Sequence, residues 1–405
     1  MDFNTTLLHG KAVTRYEHGA TLPAIVQSNA YAYDEFETLE RVFSHKTMGY
    51  AYTRIGNPTV AAFAQRINEL EGGAGAVATA SGMAAVSMAL LTILSPGDEI
   101  IAGSGLYGGT IDLFGDLQKL GIRTRFVNRL EPGEIEPLIN DRTRCIFGEV
   151  ISNPALRVTD IAAAAETAHD HGLPLFVDST TATPYLVRPL DLGADVVIHS
   201  SSKYITGSGN AISGVIVDSG KFPWDPARYP ALDGFERYGK LAFLLRLRTD
   251  ILENLGGCLA PMNAYLNVVG LETLGLRMER ICQNAEALSK ALQAIPGIRA
   301  DHPTLSAPEL CRRQFRGHGG GILTFRAGSK ERAIRILNSL RYTAIASNIG
   351  DVRTLAIHPA STIFLKTTEA QREAAGVYDD TIRVSVGIED AEDLIEDFTF
   401  AIQSA

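Results

Sequence analysis

The sequence predicts an α/β protein built on a mostly parallel sheet. Three observations carry that reading. Short apolar runs alternate with helical periodicities between residues 76 and 217. Turn-forming clusters such as Ser95-Pro96-Gly97-Asp98 punctuate them. The residues with chemical potential follow the predicted strands, at the carboxyl ends where ligands collect in such sheets.

The chain has 405 residues, enough for two or three domains with substantial cores. Hydrophobic residues make up 45% and charged residues 20%, which is ordinary for a globular enzyme. A formal charge of −9 argues against a general nucleic-acid binder, although one small anion could still bind in a local pocket. No basic segment followed by an apolar run opens the chain, so no secretory signal is expected. The longest apolar stretches, such as Ala84 to Leu94, are too short to span a bilayer. Cys145, Cys258, Cys282 and Cys311 are far apart and read as reduced cytosolic thiols, neither a disulfide framework nor a zinc site. The histidines show no metal-ligand spacing. A cytoplasmic, metal-free protein is the expectation.

Residues 1 to about 50 show little periodicity apart from a short helix at 35–44. An arm of that length is uncommon in a compact monomer, and it is expected to lie partly on a neighbouring subunit. Asn57 is a plausible N-cap and Pro58 suits a first helical turn. Val60, Phe63, Ile67 and Leu70 then share a helix face that Gly72-Gly73 ends. Tyr52 and Arg54, two residues apart on an extended segment, share one face and suit a phosphate. A packed tyrosine beside a surface arginine is the commoner arrangement.

A strand at 76–80, the turn Ser81-Gly82-Met83 and a helix at 84–94 would together offer free N–H groups to an anion. Further strands are expected at 99–102, 123–127, 144–148, 174–178, 194–198 and 211–217, with helices reaching about 120 and at 133–140 and 159–170. Tyr107 sits in a glycine-rich loop. Asp178 ends a buried apolar strand, where an acid needs a partner. Lys203 follows His199-Ser200-Ser201-Ser202 and precedes glycines. An amine held there can form a Schiff base with a carbonyl while hydroxyls hold a phosphate, and pyridoxal phosphate supplies both groups. For this segment alone, a solvated lysine in a Ser/Gly-rich turn is the more common reading.

Strongly helical stretches follow at 241–255 and 260–292, with a break expected near Gly275 and a boundary at Pro296-Gly297. The remainder reads as α+β, with strands at 321–325 and 381–386 and helices at 329–340, 369–375 and 390–403. Arg383 lies in an apolar strand and needs an anion. A substrate carboxylate would serve, and so would Asp379, Asp380 or Glu389.

Together these residues carry a resemblance. Tyr-x-Arg-x-x-Asn-Pro-Thr occupies 52–59, Ala-Ser-Gly-Met-Ala-Ala 80–85 and Leu-Tyr-Gly-Gly-Thr 106–110. Glu149 with Asn153-Pro154, Val177-Asp178 with Ala182-Thr183-Pro184, His199 to Tyr204, His358 to Thr362 and Arg383 to Asp390 complete the pattern. It is similar to the Cys/Met-metabolism family of pyridoxal-phosphate enzymes, the group of cystathionine γ-synthase, the cystathionine lyases, methionine γ-lyase and O-acetylhomoserine sulfhydrylase.

The resemblance implies the aspartate-aminotransferase-like fold (PLP fold type I). Its large domain has a mostly parallel seven-stranded sheet, and a smaller α+β C-terminal domain follows. The implied division is an arm at 1–55, a cofactor domain at 56–255, and linking helices with the C-terminal domain at 256–405. The resemblance also implies a homotetramer of tight dimers with shared active sites. Tyr52 and Arg54 would reach the cofactor phosphate of the neighbouring subunit. Ser81, Gly82, Met83, Ser200 and Ser202 would hold the phosphate within the subunit. Tyr107 would stack on the ring and assist proton transfer, Asp178 would pair with the ring nitrogen, and Asn153 would contact the ring hydroxyl. Lys203 would carry the cofactor, and Arg383 with Asn348 would bind the substrate carboxylate.

Among the members, Asn348-Ile349-Gly350-Asp351 and Ala360-Ser361-Thr362 resemble homoserine-ester sulfhydrylases, and Gly109 stands where methionine γ-lyases usually have cysteine. The implied reaction is γ-replacement on an activated homoserine ester by sulfide or a thiol. The alternative is γ-elimination from methionine, homocysteine or cystathionine. Ser179, the stretch Pro23 to Tyr31, Ile363-Phe364 and a short 220–240 loop depart from the pattern, and bear on the substrate more than on the cofactor.

Overall fold

Seven strands, each flanked by a helix or a tight turn, form the larger of two sheets in the computed structural model. The model describes residues 1–13, 16–44, 46–365 and 367–405. The strands are β1 (Gly75–Thr79), β2 (Glu99–Gly103), β3 (Arg123–Val127), β4 (Thr143–Glu149), β5 (Leu175–Asp178), β6 (Val196–His199) and β7 (Gly214–Asp218). Their spatial order is β1-β7-β6-β5-β4-β2-β3. All pairings are parallel except those of β7, which runs antiparallel to both β1 and β6. Alternate residues of the central strands enter two different apolar cores, one on each face. Val177, Val197 and Val215 face one, and Phe176, Ile198 and Ile216 the other. Burial on both faces is why these strands read as continuous apolar runs.

The local signals act as their chemistry requires. The Asn57 side chain caps α3 (Pro58–Glu71) by accepting from the Thr59 and Val60 N–H groups, and Gly72 ends that helix at φ 75°. Ser81 caps α4 (Gly82–Leu91) by accepting from Ala84 N–H. The glycine-rich loop after β2 opens α5 (Gly108–Lys119).

The expectation for the first residues is corrected. Within the expected arm, Phe3–His9 forms the helix α1, with α2 following at Phe36–Phe43; residues 14, 15 and 45 lie outside the described residues. Leu7 of α1 is buried in the large core, and Phe3 packs edge-on to Tyr185 at 5.3 Å. Phe3 and Leu7 are one helical turn apart, a pair too short to register as periodicity. The expected break at Gly275 is also displaced. One helix ends at Leu271, and the next, Leu274–Gln293, includes Gly275 in its first turn. A Cβ on Gly275 would meet the Asn4 side chain at 1.8 Å, so this glycine serves the close approach of α1 and not a kink.

The helix Leu274–Gln293 joins the two parts. Its first half (Leu274, Met278, Ile281) packs in the large-sheet core, and its second half (Ala285, Leu288, Leu292) in a separate core. That core belongs to a five-stranded sheet ordered β10-β11-β12-β9-β8. Its strands are β8 (Arg299–Asp301), β9 (Ile322–Arg326), β10 (Ala344–Ile345), β11 (Leu355–Ile357) and β12 (Thr381–Ser385). Only β9 and β12 are expected from the sequence. The other three have two or three residues each, too few for an alternation to show.

Candidate active site

A cavity of about 260 Å³ opens at the carboxyl ends of the parallel strands. Ser81, Gly82, Met83, Tyr107, Asn153, Asp178, Ser200, Ser202, Lys203 and Arg383 all line it, brought by the ends of β1, β2, β4, β5 and β6 and by β12.

Gly82 opens α4, whose first N–H groups have no acceptor in a preceding helical turn. The Ser81 hydroxyl takes Ala84 N–H at 3.0 Å, leaving those of Gly82 and Met83 for a ligand. A Cβ on Gly82 would lie 2.5 Å from Ser200 Cβ, so the helix N-terminus and the Ser200 turn close on one small space. Ser202 is differently placed from a free phosphate donor: its hydroxyl donates to Ser213 O at 2.9 Å and accepts from Ser213 N–H at 2.8 Å. Ser202 lines the cavity while its hydroxyl pins the Lys203 turn to the segment before β7.

The Lys203 amine donates to Asn348 Oδ1 at 2.6 Å. Burial and then the nearby Arg383 charge lower its pKa, which favours the neutral amine. Asn348 reaches Lys203 because Gly350, at φ 72°, lets its loop lie against the lysine turn. A Cβ there would be 2.5 Å from Tyr204 N. The Asn348 carbonyl accepts from Arg383 Nη2 at 3.0 Å, and Asn153 Oδ1 accepts from Nη1 at 3.4 Å. Arg383 is 2% exposed and its Nε has no partner. Burial lowers its pKa to about 10.

The three acids that compete for Arg383 on sequence grounds are engaged elsewhere. Asp380 pairs with Arg326, Asp379 with Arg372 at 3.4 Å, and Glu389 accepts from Thr354 N–H at 2.6 Å. Among the described residues no carboxylate is in ion-pair contact with Arg383. A buried guanidinium in that condition is a ready receptor for a ligand carboxylate.

Two acids also line the cavity. Asp178 and Glu149 are register partners at the ends of β5 and β4. Burial raises the pKa of Asp178, although Thr180 hydrogen bonds and His199 oppose the rise. Asp178 Oδ1 accepts from Thr180 N–H at 2.9 Å. Burial, reinforced by Asp178, raises Glu149 well above the ordinary carboxyl range. A protonated ring nitrogen would relieve this crowding of buried acid. With the phosphate space at Gly82, this fits the ring-and-phosphate cofactor expected from the sequence.

Tyr107, the residue before α5, is 45% exposed and lines the cavity. Tyr52 and Arg54 do not. Tyr52 is exposed on the surface, the Arg54 guanidinium lies 5.5 Å from its ring centroid, and Arg54 donates to the Glu253 carbonyl. Within one chain these two are separate from the other candidate residues. Glu149, Thr180, Thr181 and Ser347, which carry no expected role from the sequence, also line the cavity, as does Ile363, which is expected to bear on the substrate. Their position after strands and in loops signals the site only once the strand order is known.

A family model described as Cys/Met metabolism PLP-dependent enzyme matches residues 4–403. The homocysteine synthase of Schizosaccharomyces pombe is 40% identical over 422 residues, covering 100% of this chain and 98% of that protein. The O-acetyl-L-homoserine sulfhydrylase of Leptospira meyeri is 37% identical, with coverage of 99% and 96%. A solved structure from Campylobacter jejuni, assigned as an O-acetylhomoserine (thiol)-lyase, has a TM-score of 0.94 at 34% identity, with both chains covered over 100% of their length; it contains N'-pyridoxyl-lysine-5'-monophosphate.

Proposed function

The chain belongs to the Cys/Met metabolism family of pyridoxal-phosphate-dependent enzymes, and from that premise we propose γ-replacement on O-acetyl-L-homoserine with sulfide, giving homocysteine and acetate. The relatives named homocysteine synthase and O-acetyl-L-homoserine sulfhydrylase support this reading. The observation that carries it is the chain from Lys203 through Asn348 to Arg383, whose buried Nε is unpaired. It sets a base and a carboxylate receptor a few atoms apart, as an α-amino acid substrate requires.

Pyridoxal phosphate, when bound, supplies a carbonyl for an amine and a ring that takes up the electrons released at the α-carbon. The protein's residues do the rest. Gly82 and Met83 N–H groups and the Ser200 hydroxyl hold the phosphate. Asp178 keeps the ring nitrogen protonated. Arg383 binds the substrate carboxylate through its free N–H edge and so orients the α-proton toward Lys203. Lys203 Nζ, its pKa lowered by burial and by Arg383, removes that proton and returns it during the transfer. Tyr107 protonates the departing oxygen. Tyr52 and Arg54 act on the phosphate of a neighbouring subunit in a homotetramer, which accounts for their exposure in the single chain. The cytoplasm suits such an enzyme, and no described helix is long and apolar enough to cross a membrane.

The test is product analysis after reconstitution with pyridoxal phosphate. O-acetylhomoserine plus sulfide should give homocysteine, and methionine alone should give little. Methanethiol and ketobutyrate from methionine, without homocysteine from the ester, would overturn the reading in favour of a lyase. Lys203→Ala should lose the borohydride-sensitive visible band and at least about a thousandfold in kcat.

A further inference from the structure

We propose that Glu149 is a positioning residue for Tyr107, its buried carboxyl tying the Tyr107 loop to the end of β4 and so setting the phenol against the cofactor. The inference rests on the reading above in one respect, that Tyr107 faces the cofactor.

Glu149 Oε1 accepts from the Tyr107 backbone N–H at 2.6 Å, across 42 residues of sequence. Tyr107 makes no side-chain cap to α5. Among the described residues, this is the one hydrogen bond that holds Tyr107 to anything outside its own helix. The ring itself lies back over Gly109, where a Cβ would meet it at 2.6 Å. With 45% of its surface exposed, Tyr107 has little packing to fix it. The loop is therefore held from below, by its backbone.

Glu149 is well suited to hold it. It is 7% exposed and ends a central strand paired on both sides, by β2 and β5. Its Oε2 is buried, and the Asn153 backbone N–H, like that of Tyr107, stabilises the carboxylate against the rise that burial causes. Burial and the adjacent Asp178 favour the protonated acid, which keeps Oε1 as an acceptor while adding no second charge beside Asp178. A glutamine reproduces that state in shape and in its acceptor. An alanine removes the acceptor of the part-buried Tyr107 N–H.

The experiment compares Glu149→Gln, Glu149→Ala, Tyr107→Ala and the double variant Glu149→Ala/Tyr107→Ala, each confirmed to be folded. Amide hydrogen exchange at Tyr107 is measured first, without cofactor. Exchange should accelerate about tenfold or more in Glu149→Ala and stay near wild type in Glu149→Gln. In the reconstituted enzymes, Glu149→Ala should lower kcat roughly 10- to 100-fold with little change in KM, and weaken the visible circular dichroism of the cofactor. On the Tyr107→Ala background it should cost no more than about twofold further. Additive losses, or unchanged exchange in Glu149→Ala, would overturn the proposal. If Glu149→Ala does not fold, Glu149→Ser carries the same comparison. A wild-type enzyme that makes no homocysteine would sink the proposed reaction, while the exchange and dichroism measurements would still judge Glu149.

Discussion

Replacing Arg277 by methionine should destabilise the protein by about 2–6 kcal/mol and loosen the turn that carries Lys203. Arg277 is 8% exposed in the helix Leu274–Gln293. Its guanidinium donates to Tyr204 O at 2.6 Å, Ile205 O at 3.0 Å and Gly270 O at 2.6 Å, and its Nε to Thr273 Oγ1 at 3.1 Å. The first two carbonyls directly follow Lys203. A Cβ on Gly207 would lie 2.1 Å from Nη1, so the turn is closed around the cation. Hydrogen bonds from a charged donor contribute about 1.5–3 kcal/mol each, or about 5–9 kcal/mol for the three carbonyls. Against this stands the cost of burying the cation, which lowers its pKa from 12.5 to about 10; that shift corresponds to about 3 kcal/mol. The difference sets the range given. Urea denaturation followed by the fluorescence of Trp224, the single tryptophan and a core residue of the large domain, reads the loss. Arg277→Lys should recover part of it, because an ammonium can donate to these carbonyls but lacks the planar fork. A loss below about 1 kcal/mol in Arg277→Met would refute the reasoning.

Two other outcomes follow from particular contacts. Gly82→Ala should lower cofactor affinity by roughly 10- to 100-fold, because the new Cβ would sit 2.5 Å from Ser200 Cβ and 2.9 Å from its Cα. The backbone of one side of the phosphate space would have to move, at about 1–3 kcal/mol, which outweighs the usual helical gain from alanine; equilibrium dialysis of pyridoxal phosphate measures it. Asp218, 1% exposed with Oδ2 unpartnered, should make stability depend on pH. Burial first, then Asp195, raises its pKa from 3.8 to about 7, so the folded protein binds more protons than the unfolded chain between those values. Its contribution is therefore full below about pH 4 and is lost as pH rises through about 7, by up to about 4 kcal/mol. Urea midpoints between about pH 4 and pH 8 should lose this slope in Asp218→Asn, and an unchanged slope would count against the assignment.

The class of fold and most of the available chemistry are legible in short segments of the chain. Asn57-Pro58 and Ser81-Gly82 start helices through side-chain caps that act over two or three residues. The runs at 174–178 and 194–198 are apolar because both faces of the sheet are covered. These signals are local, and the chain carries them without its neighbours. The motif order was sufficient to indicate the family and the cofactor that goes with it.

What the residues do to one another depends on the packing of distant segments. Sequence left Arg383 with a substrate and three acids as candidate partners; only packing shows those acids engaged with Arg326, Arg372 and Thr354. The bond from Lys203 to Asn348 spans 145 residues and joins two domains, and it forms because a left-handed glycine lets two loops touch. Glu149 reads from sequence as one acid at the end of one strand. It becomes the neighbour of Asp178 and the anchor of Tyr107 only when β4 lies between β5 and β2. Caps and periodicities arise from bonds within a few residues, so they are written in short segments. Charge pairing, burial and hydrogen-bond satisfaction depend on which segments meet, and that is settled by the packing of the whole chain.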